Sequence, residues 1–337
     1  MFLKYMVTSS SSLTLTRVYT RWGGGRGALR WARPSIPWAY DADGAEVPVP
    51  FPRFGGEKSM RVTVLMENST PSSRLAARHG LSLWLELEDG RRVLFDMGPD
   101  EAFLANAHVL GVDVTAADAA VLSHGHYDHG GGLPAFLDAC GRAGREVPVY
   151  VRDHAFDEHA SGTPERHHAI GLDPALAANP CVVTVGERRE IAPGLTLFST
   201  MRREHPAARS NLRLMERRDG SLAPDRFLHE QSLLVREGGR TFLVSGCSHG
   251  GILNIMDAAE ELAGGALDAV VAGFHLMDPS GGAVEDPALT RELAAALAAR
   301  PTRYLTFHCT GTDAFSLLRD ELGERVRYLH VGSRAEL

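Results

Sequence analysis

One short stretch constrains this chain more than any other: His124-Gly125-His126-Tyr127-Asp128-His129. Four side chains able to bind a metal ion fall inside it. Imidazole and carboxylate suit zinc, iron or manganese. The set works only if the backbone turns sharply enough for the side chains to converge, and Gly125 with Gly130–Gly132 supplies that freedom. The apolar run Ala119–Leu122 reads as a short strand that gives the loop a rigid base. A structural hydrogen bond explains a lone histidine. It does not explain H-x-H-x-D-H at a strand-to-loop junction among glycines, which reads as a metal centre.

The rest of the pattern is that of a layered α/β protein. Val62–Met66 reads as a strand. Leu81–Leu87 alternates apolar and polar residues, Asp89-Gly90 turns, and Arg92–Phe95 returns as a hairpin arm. Glu101–Leu110 reads as a helix ended by Gly111, and Leu133–Ala139 as the helix after the histidine cluster. Farther on, strands are predicted at 181–185, 195–199, 232–236, 241–245, 268–272 and 303–307, with helices at 251–263, 287–299 and 313–322. Early hairpins followed by alternating strands and helices point to stacked layers instead of a pure βαβ wind. Three later strands run into histidine: Gly246-Cys247-Ser248-His249, Gly273-Phe274-His275 and His308-Cys309-Thr310-Gly311. Strand ends on one edge of a scaffold are where catalytic groups gather.

Residues 1–59 stand apart. The first 40 hold Lys4, Arg17, Arg21, Arg26, Arg30 and Arg33 and no acid, with serine and glycine runs and then scattered prolines. Such a segment buries too little apolar surface to offset its ordering entropy. It reads as a disordered or mis-started extension, or alternatively as an organelle transit peptide, and the folded domain is expected over 60–337. Cys140, Cys181, Cys247 and Cys309 form no C-x-x-C pair, which suggests a reducing compartment and a cytoplasmic protein. A formal net charge of −7 argues against nucleic acid and anionic membrane as partners. No apolar run is long enough to span a bilayer.

The segment Ser123-His124-Gly125-His126-Tyr127-Asp128-His129-Gly130-Gly131-Gly132 resembles the signature loop of the metallo-β-lactamase superfamily, and Leu94-Phe95-Asp96-Met97-Gly98 resembles its upstream strand. Further matches follow in order: Glu67-Asn68, His79-Gly80-Leu81-Ser82, Asn106-Ala107, Glu230-Gln231-Ser232-Leu233, Gly246-Cys247-Ser248-His249-x-Gly251-Ile252, Gly273-Phe274-His275-Leu276 and His308-Cys309-Thr310-Gly311. Together they resemble the branch that includes the dihydropterin ribofuranosylaminobenzene 5′-phosphate synthases. The resemblance implies a four-layer αββα sandwich. It also implies that the first two histidines serve one metal and the Asp–His pair a second.

Two catalytic sites of three protein ligands each need six donors. His124, His126 and His249 are the expected first set; Asp128, His129 and His308 the second. Much of the superfamily bridges its metals with an Asp from a strand end. Here that stretch offers Cys247 instead, and a thiolate would favour softer metals. The expectation is a hydrolase holding two divalent ions, zinc first and iron or manganese as alternatives, in which an activated water attacks an ester or phosphoester. Asp128 would be ligand and orienter, and His275 either a donor to substrate or a structural group. The branch implies a pterin or ribosyl-phosphate substrate. The alternatives are a non-hydrolytic di-iron redox protein and a metal-bound ligand-binding protein. Arg202, Arg203, Arg209, Arg213, Arg217 and Arg218 read as a long charged loop, either a solvated surface or a lid over a small anionic substrate. His205 and His229 read as solvated or loop residues, and His167-His168 as part of a polar loop.

Overall fold

The computed structural model describes residues 60–277 and 285–337, with the backbone of Ala39–Tyr40 and Glu46–Val47. The extension expected over 1–59 otherwise lies outside the described residues. The chain divides into two units, Met1–Val49 and Pro50–Leu337. In the first, Ala39–Tyr40 pairs antiparallel with Glu46–Val47. All that follows concerns the second.

Two seven-stranded sheets carry it. One runs Val182–Val185, Val149–Arg152, Ala119–Val121, Arg92–Phe95, Ser82–Glu86, Arg61–Met66, Arg334–Glu336. The other runs Arg188–Ala192, Leu195–Phe198, Ser232–Glu237, Arg240–Val244, Ala269–Val271, Arg303–Thr306, Val326–Tyr328. Each sheet has antiparallel pairs on one side and parallel pairs on the other.

Side-chain alternation sorts the apolar residues into layers. Val62, Val64, Leu83, Leu85, Val93, Phe95 and Val121 of the first sheet meet Leu195, Leu197, Leu233, Val235, Phe242, Val244, Val271 and Leu305 of the second. The intervening residues point outward. Trp84, Leu94, Ala120 and Leu122 pack with Phe103 and Phe136 of helices Ala102–Val109 and Leu133–Arg142. Leu234, Leu243, Val270 and Tyr304 pack with residues of helices Ile252–Ala263, Pro287–Ala298 and Thr312–Leu322. The order is therefore helix, sheet, sheet, helix, the four-layer αββα sandwich that the sequence implies. Among the described residues no helix is long and apolar enough to cross a membrane.

A third sheet of four strands runs Ser221–Pro224, Leu214–Arg218, His159–Thr163, Arg166–Ala169. It corrects two expectations. The arginine-rich segment is not one long loop, because it contains a 3-10 turn at Arg209–Arg213 and the strand Leu214–Arg218. His167 and His168 lie on a strand whose four residues are all exposed. Charged, half-solvated strands show no apolar alternation, so local pattern does not reveal them.

Candidate metal centre

Four of the strands that lead to the site are followed by a sharp backbone reversal. Asp96, Ser248, His275 and His308 have φ of 61°, 58°, 50° and 49°. This left-handed region costs non-glycine residues energy and is tolerated where the surroundings fix it. Gly125 has a different constraint. A Cβ there would lie 2.1 Å from the carbonyl oxygen of Ala155, so only glycine lets the loop pass.

The six expected ligands converge, and all are buried. His124 Nε2 lies 3.3 Å from His249 Nε2, and the His126 ring centre is 4.6 Å and 5.0 Å from those two rings. His129 Nε2 lies 3.3 Å from His308 Nε2, and His308 Nε2 lies 3.3 Å from Asp128 Oδ2. Cys247 connects the two groups. Its sulfur is 3.1 Å from His129 Nε2, and it clusters with His124 and His249 on one side and with His129 and His308 on the other.

The protons show that this arrangement suits cations. Asp96 Oδ2 accepts from His129 Nδ1 at 2.6 Å. Asn211 Oδ1 accepts from His249 Nδ1 at 2.9 Å, and Asn68 Oδ1 accepts from His308 Nδ1 at 2.7 Å. The Ser123 hydroxyl donates to Asp96 Oδ2 and so accepts from His124 Nδ1 at 2.9 Å. A neutral imidazole has one N–H. With that proton spent on Nδ1, the neutral rings of His124, His249 and His308 keep bare Nε2 lone pairs, and those of His124 and His249 face each other at 3.3 Å, an arrangement that repels unless positive charge lies between them. His126 adds a buried Nε2 with no partner. The pKa shifts separate His129, which keeps both ring protons near neutral pH, from the neutral rings. Burial opposes charge on His129, but Asp96 and Asp128 outweigh it and raise its pKa to about 9. Burial and the neighbouring imidazoles hold His124 and His249 well below their usual value.

Several residues known from sequence only as matches to the family prove to be supports. Glu67 Oε1 accepts the His308 backbone N–H at 2.9 Å, and Glu230 Oε1 accepts that of His249 at 2.6 Å. Asn68 and Asn211 each clasp one histidine twice, by the ring N–H and by its own backbone carbonyl, at 3.3 Å and 2.8 Å. His79, carried from sequence only as a family match and given no place in the site, has its Nε2 3.2 Å from Asp128 Oδ2. His229, read as solvated or in a loop, does lie in a turn, but it is not solvated. The ring is fully buried and accepts the Gly125 N–H at 2.9 Å. His205 stays in a loop, paired with Asp257 at 2.9 Å.

A cavity of about 290 Å³ opens over the centre. Its floor includes Asp128, Cys247, His249 and His308, and its rim includes Ser161, His168, Ser210, Arg213 and Leu214. His275 lies in its wall, with its ring 4.2 Å from His249 and a buried Nδ1 that has no partner. Of the six clustered arginines, Arg213 reaches the cavity. Arg202 and Arg217 pair instead with Glu261 and Glu158. A larger groove of about 560 Å³ along Arg61, Trp84 and Arg334 touches none of the histidines.

Comparison with known proteins agrees with this geometry. Residues 76–279 match the family model described as the metallo-beta-lactamase superfamily. The chain is 26% identical over 271 residues to a protein of Methanocaldococcus jannaschii named 7,8-dihydropterin-6-methyl-4-(beta-D-ribofuranosyl)-aminobenzene-5'-phosphate synthase, covering 76% of this chain and 89% of that one. It is 27% identical over 275 residues to an uncharacterised protein of the same organism, covering 80% and 98%. Among solved structures it is similar to a metal-dependent hydrolase of the beta-lactamase superfamily, with a TM-score of 0.66 and 28% identity over 82% of this chain and 99% of that one.

Proposed function

Because the chain belongs to the metallo-β-lactamase superfamily, we propose that it is a dinuclear metal-dependent hydrolase of small anionic esters or phosphoesters. The observation that carries this reading is the convergence of four imidazoles by their Nε2 atoms, each ring fixed by a partner on Nδ1. His124, His126 and His249 would hold one ion, and Asp128, His129 and His308 the other. Cys247 would stand between them, where its sulfur neighbours both sets. Zinc fits nitrogen, oxygen and sulfur donors together, with iron or manganese as the alternatives. When bound, such ions acidify water and stabilise developing negative charge.

The chain's own residues supply the rest. Asp96 keeps the His129 Nδ1 proton in place and so keeps Nε2 a donor. Asp128 ligates through Oδ2 and, with His79 beside it, orients what enters between the ligands. The unpaired His275 Nδ1 is available to a substrate oxygen or leaving group. Arg213 and His168 at the rim favour a phosphate or carboxylate on the substrate. A pterin or ribosyl phosphate is the candidate class, supported by the name of the archaeal relative. That name also ends in "synthase", which supports a second reading: transfer to an acceptor other than water.

The test is metal analysis of the purified protein together with rates on phosphoesters, carboxylic esters and pterin conjugates. Two equivalents of metal are expected, with turnover that His124→Ala and Asp128→Ala abolish. Full metal content and full rate in either variant would end the assignment. Turnover that requires an added acceptor would select the transfer reading.

A further inference from the structure

Behind the first ligand set, and sharing His126 with it, lie three residues that the reaction above does not use. His126, His159, Asp225 and His229 bring donor atoms within 4.8 Å of one another, and the Asp225 carboxylate is fully buried. Four such groups could surround a cation, but their protons argue otherwise. The Gly125 N–H donates to His229 Nδ1 at 2.9 Å, so that nitrogen keeps its lone pair. The ring proton must then sit on Nε2, which donates to Asp225 Oδ2 at 3.2 Å. A nitrogen that is donating does not ligate a metal. His159 is committed as well: Nε2 donates to the carbonyl of His154 at 3.2 Å and Nδ1 faces Asp225 Oδ2 at 3.1 Å. The other Asp225 oxygen accepts the Phe227 N–H at 2.6 Å.

The relay therefore runs from Asp225 through His229 to Gly125, the residue between ligands His124 and His126. Ala155 closes the Cα side of Gly125 and His229 holds its N–H, which leaves that peptide one position. The same strip continues to the other loop of the first set. The Phe227 ring stacks on His249 at 4.6 Å with 2° between planes, Glu230 accepts the N–H groups of His249 and Gly250 at 2.6 Å and 2.8 Å, and the Gln231 N–H donates to the Ser123 carbonyl at 2.8 Å. One stretch of backbone thus touches both loops that feed the first site.

We infer that Asp225 and His229 are positioning residues for the His124–His126–His249 site: the buried carboxylate fixes the tautomer of His229, and His229 aims the ligand loop by its backbone. The inference rests on the dinuclear reading. Outer partners of this kind typically change metal affinity by about 10- to 100-fold.

The test is cobalt(II) titration of the chelator-stripped full chain, read by d–d absorption and calorimetry. It compares the parent with Asp225→Asn, His229→Leu and His229→Asn. An asparagine carbonyl can occupy the place of Nδ1 and accept the Gly125 N–H. Asp225→Asn and His229→Leu should weaken one of two cobalt sites by about 10- to 100-fold and leave the other unchanged, and His229→Asn should recover most of the loss. Parent-like binding at both sites in Asp225→Asn and His229→Leu overturns the inference, as does a His229→Asn no better than His229→Leu. Loss of both sites together with a lowered melting temperature assigns the cluster to the scaffold and also overturns it. A third cobalt in the parent that Asp225→Asn loses would make the cluster a cation site instead. A parent that binds fewer than two ions sinks the dinuclear reading itself, before any variant is compared.

Discussion

Loading the metal-free protein with zinc at pH 7 should expel about two protons from identifiable side chains, besides any that bound water gives up. The first comes from His129. Its pKa stands at about 9, because Asp96 and Asp128 outweigh the effect of burial. At pH 7 the ring is almost wholly doubly protonated, yet a ligating Nε2 must be bare. Its Nδ1 proton stays on the hydrogen bond to Asp96, so one proton leaves. The second comes from Cys247. Burial and the neighbouring Cys309 push its thiol up, so it carries its proton at pH 7 and must lose it to ligate. His124 and His249 are held well below 6.5 by burial and by neighbouring imidazoles, and burial lowers His308, so these three are already neutral. Calorimetry in two buffers of equal pH and different protonation enthalpy reads the count directly. Cys247→Ser should reduce it by about one, and raising the pH through about 9 should remove the His129 contribution. Zero release at pH 7 would refute the reasoning on His129. A Cys247→Ser count equal to the parent's would take the thiol out of the metal centre.

Three further outcomes are expected. Asn106 Nδ2 donates to the carbonyls of Leu65 and Ala76, and its Oδ1 accepts the Ala76 N–H, each at 2.8 Å; Asn106→Ala should cost about 2–4 kcal/mol in denaturant unfolding, and a negligible loss would show that water replaces it. Gly125→Ala should destabilise by about 1–3 kcal/mol through overpacking against Ala155 and weaken metal binding too, so an unchanged melting temperature would contradict the close approach. Burial opposes ionisation of Asp257, but Arg300 and His205 outweigh it and hold the carboxyl below its usual 3.8. A depressed folded pKa gives stability that is present above about pH 4 and lost as the pH falls through the lower folded value. Asp257→Asn should therefore flatten the acid limb of melting temperature against pH, and a parent-like limb would rule that contribution out.

What could be read from the sequence follows from what is local. The strands of the two large sheets announce themselves because alternate residues enter different apolar layers, as Leu83, Trp84 and Leu85 do. The candidate ligand loop is equally plain, since four of its possible donors fall within six residues. The supports are not, because their partners lie far along the chain: Asn68 meets His308 across 240 positions and Gly125 meets His229 across 104. His229 sits among Arg226, Leu228 and Glu230 and has the look of a surface residue, yet a buried backbone N–H needs an acceptor and the ring supplies it. The role of His79 escaped for a similar reason: it was visible as a family match, but nothing near it in sequence signals Asp128. Cys247 was visible as a departure from the family pattern, but only the fold shows that it faces both ligand sets.

The rim of the cavity belongs largely to the small third sheet and the turn beside it, with Ser161, His168, Ser210, Arg213 and Leu214. None of these residues belongs to the three apolar clusters that hold the sandwich together. On the proposed reading, recognition and structural integrity are thus assigned to separate parts of one polypeptide. Exchanges at the rim take no apolar side chain out of the interior, so a new molecule can be selected there with little penalty to folding.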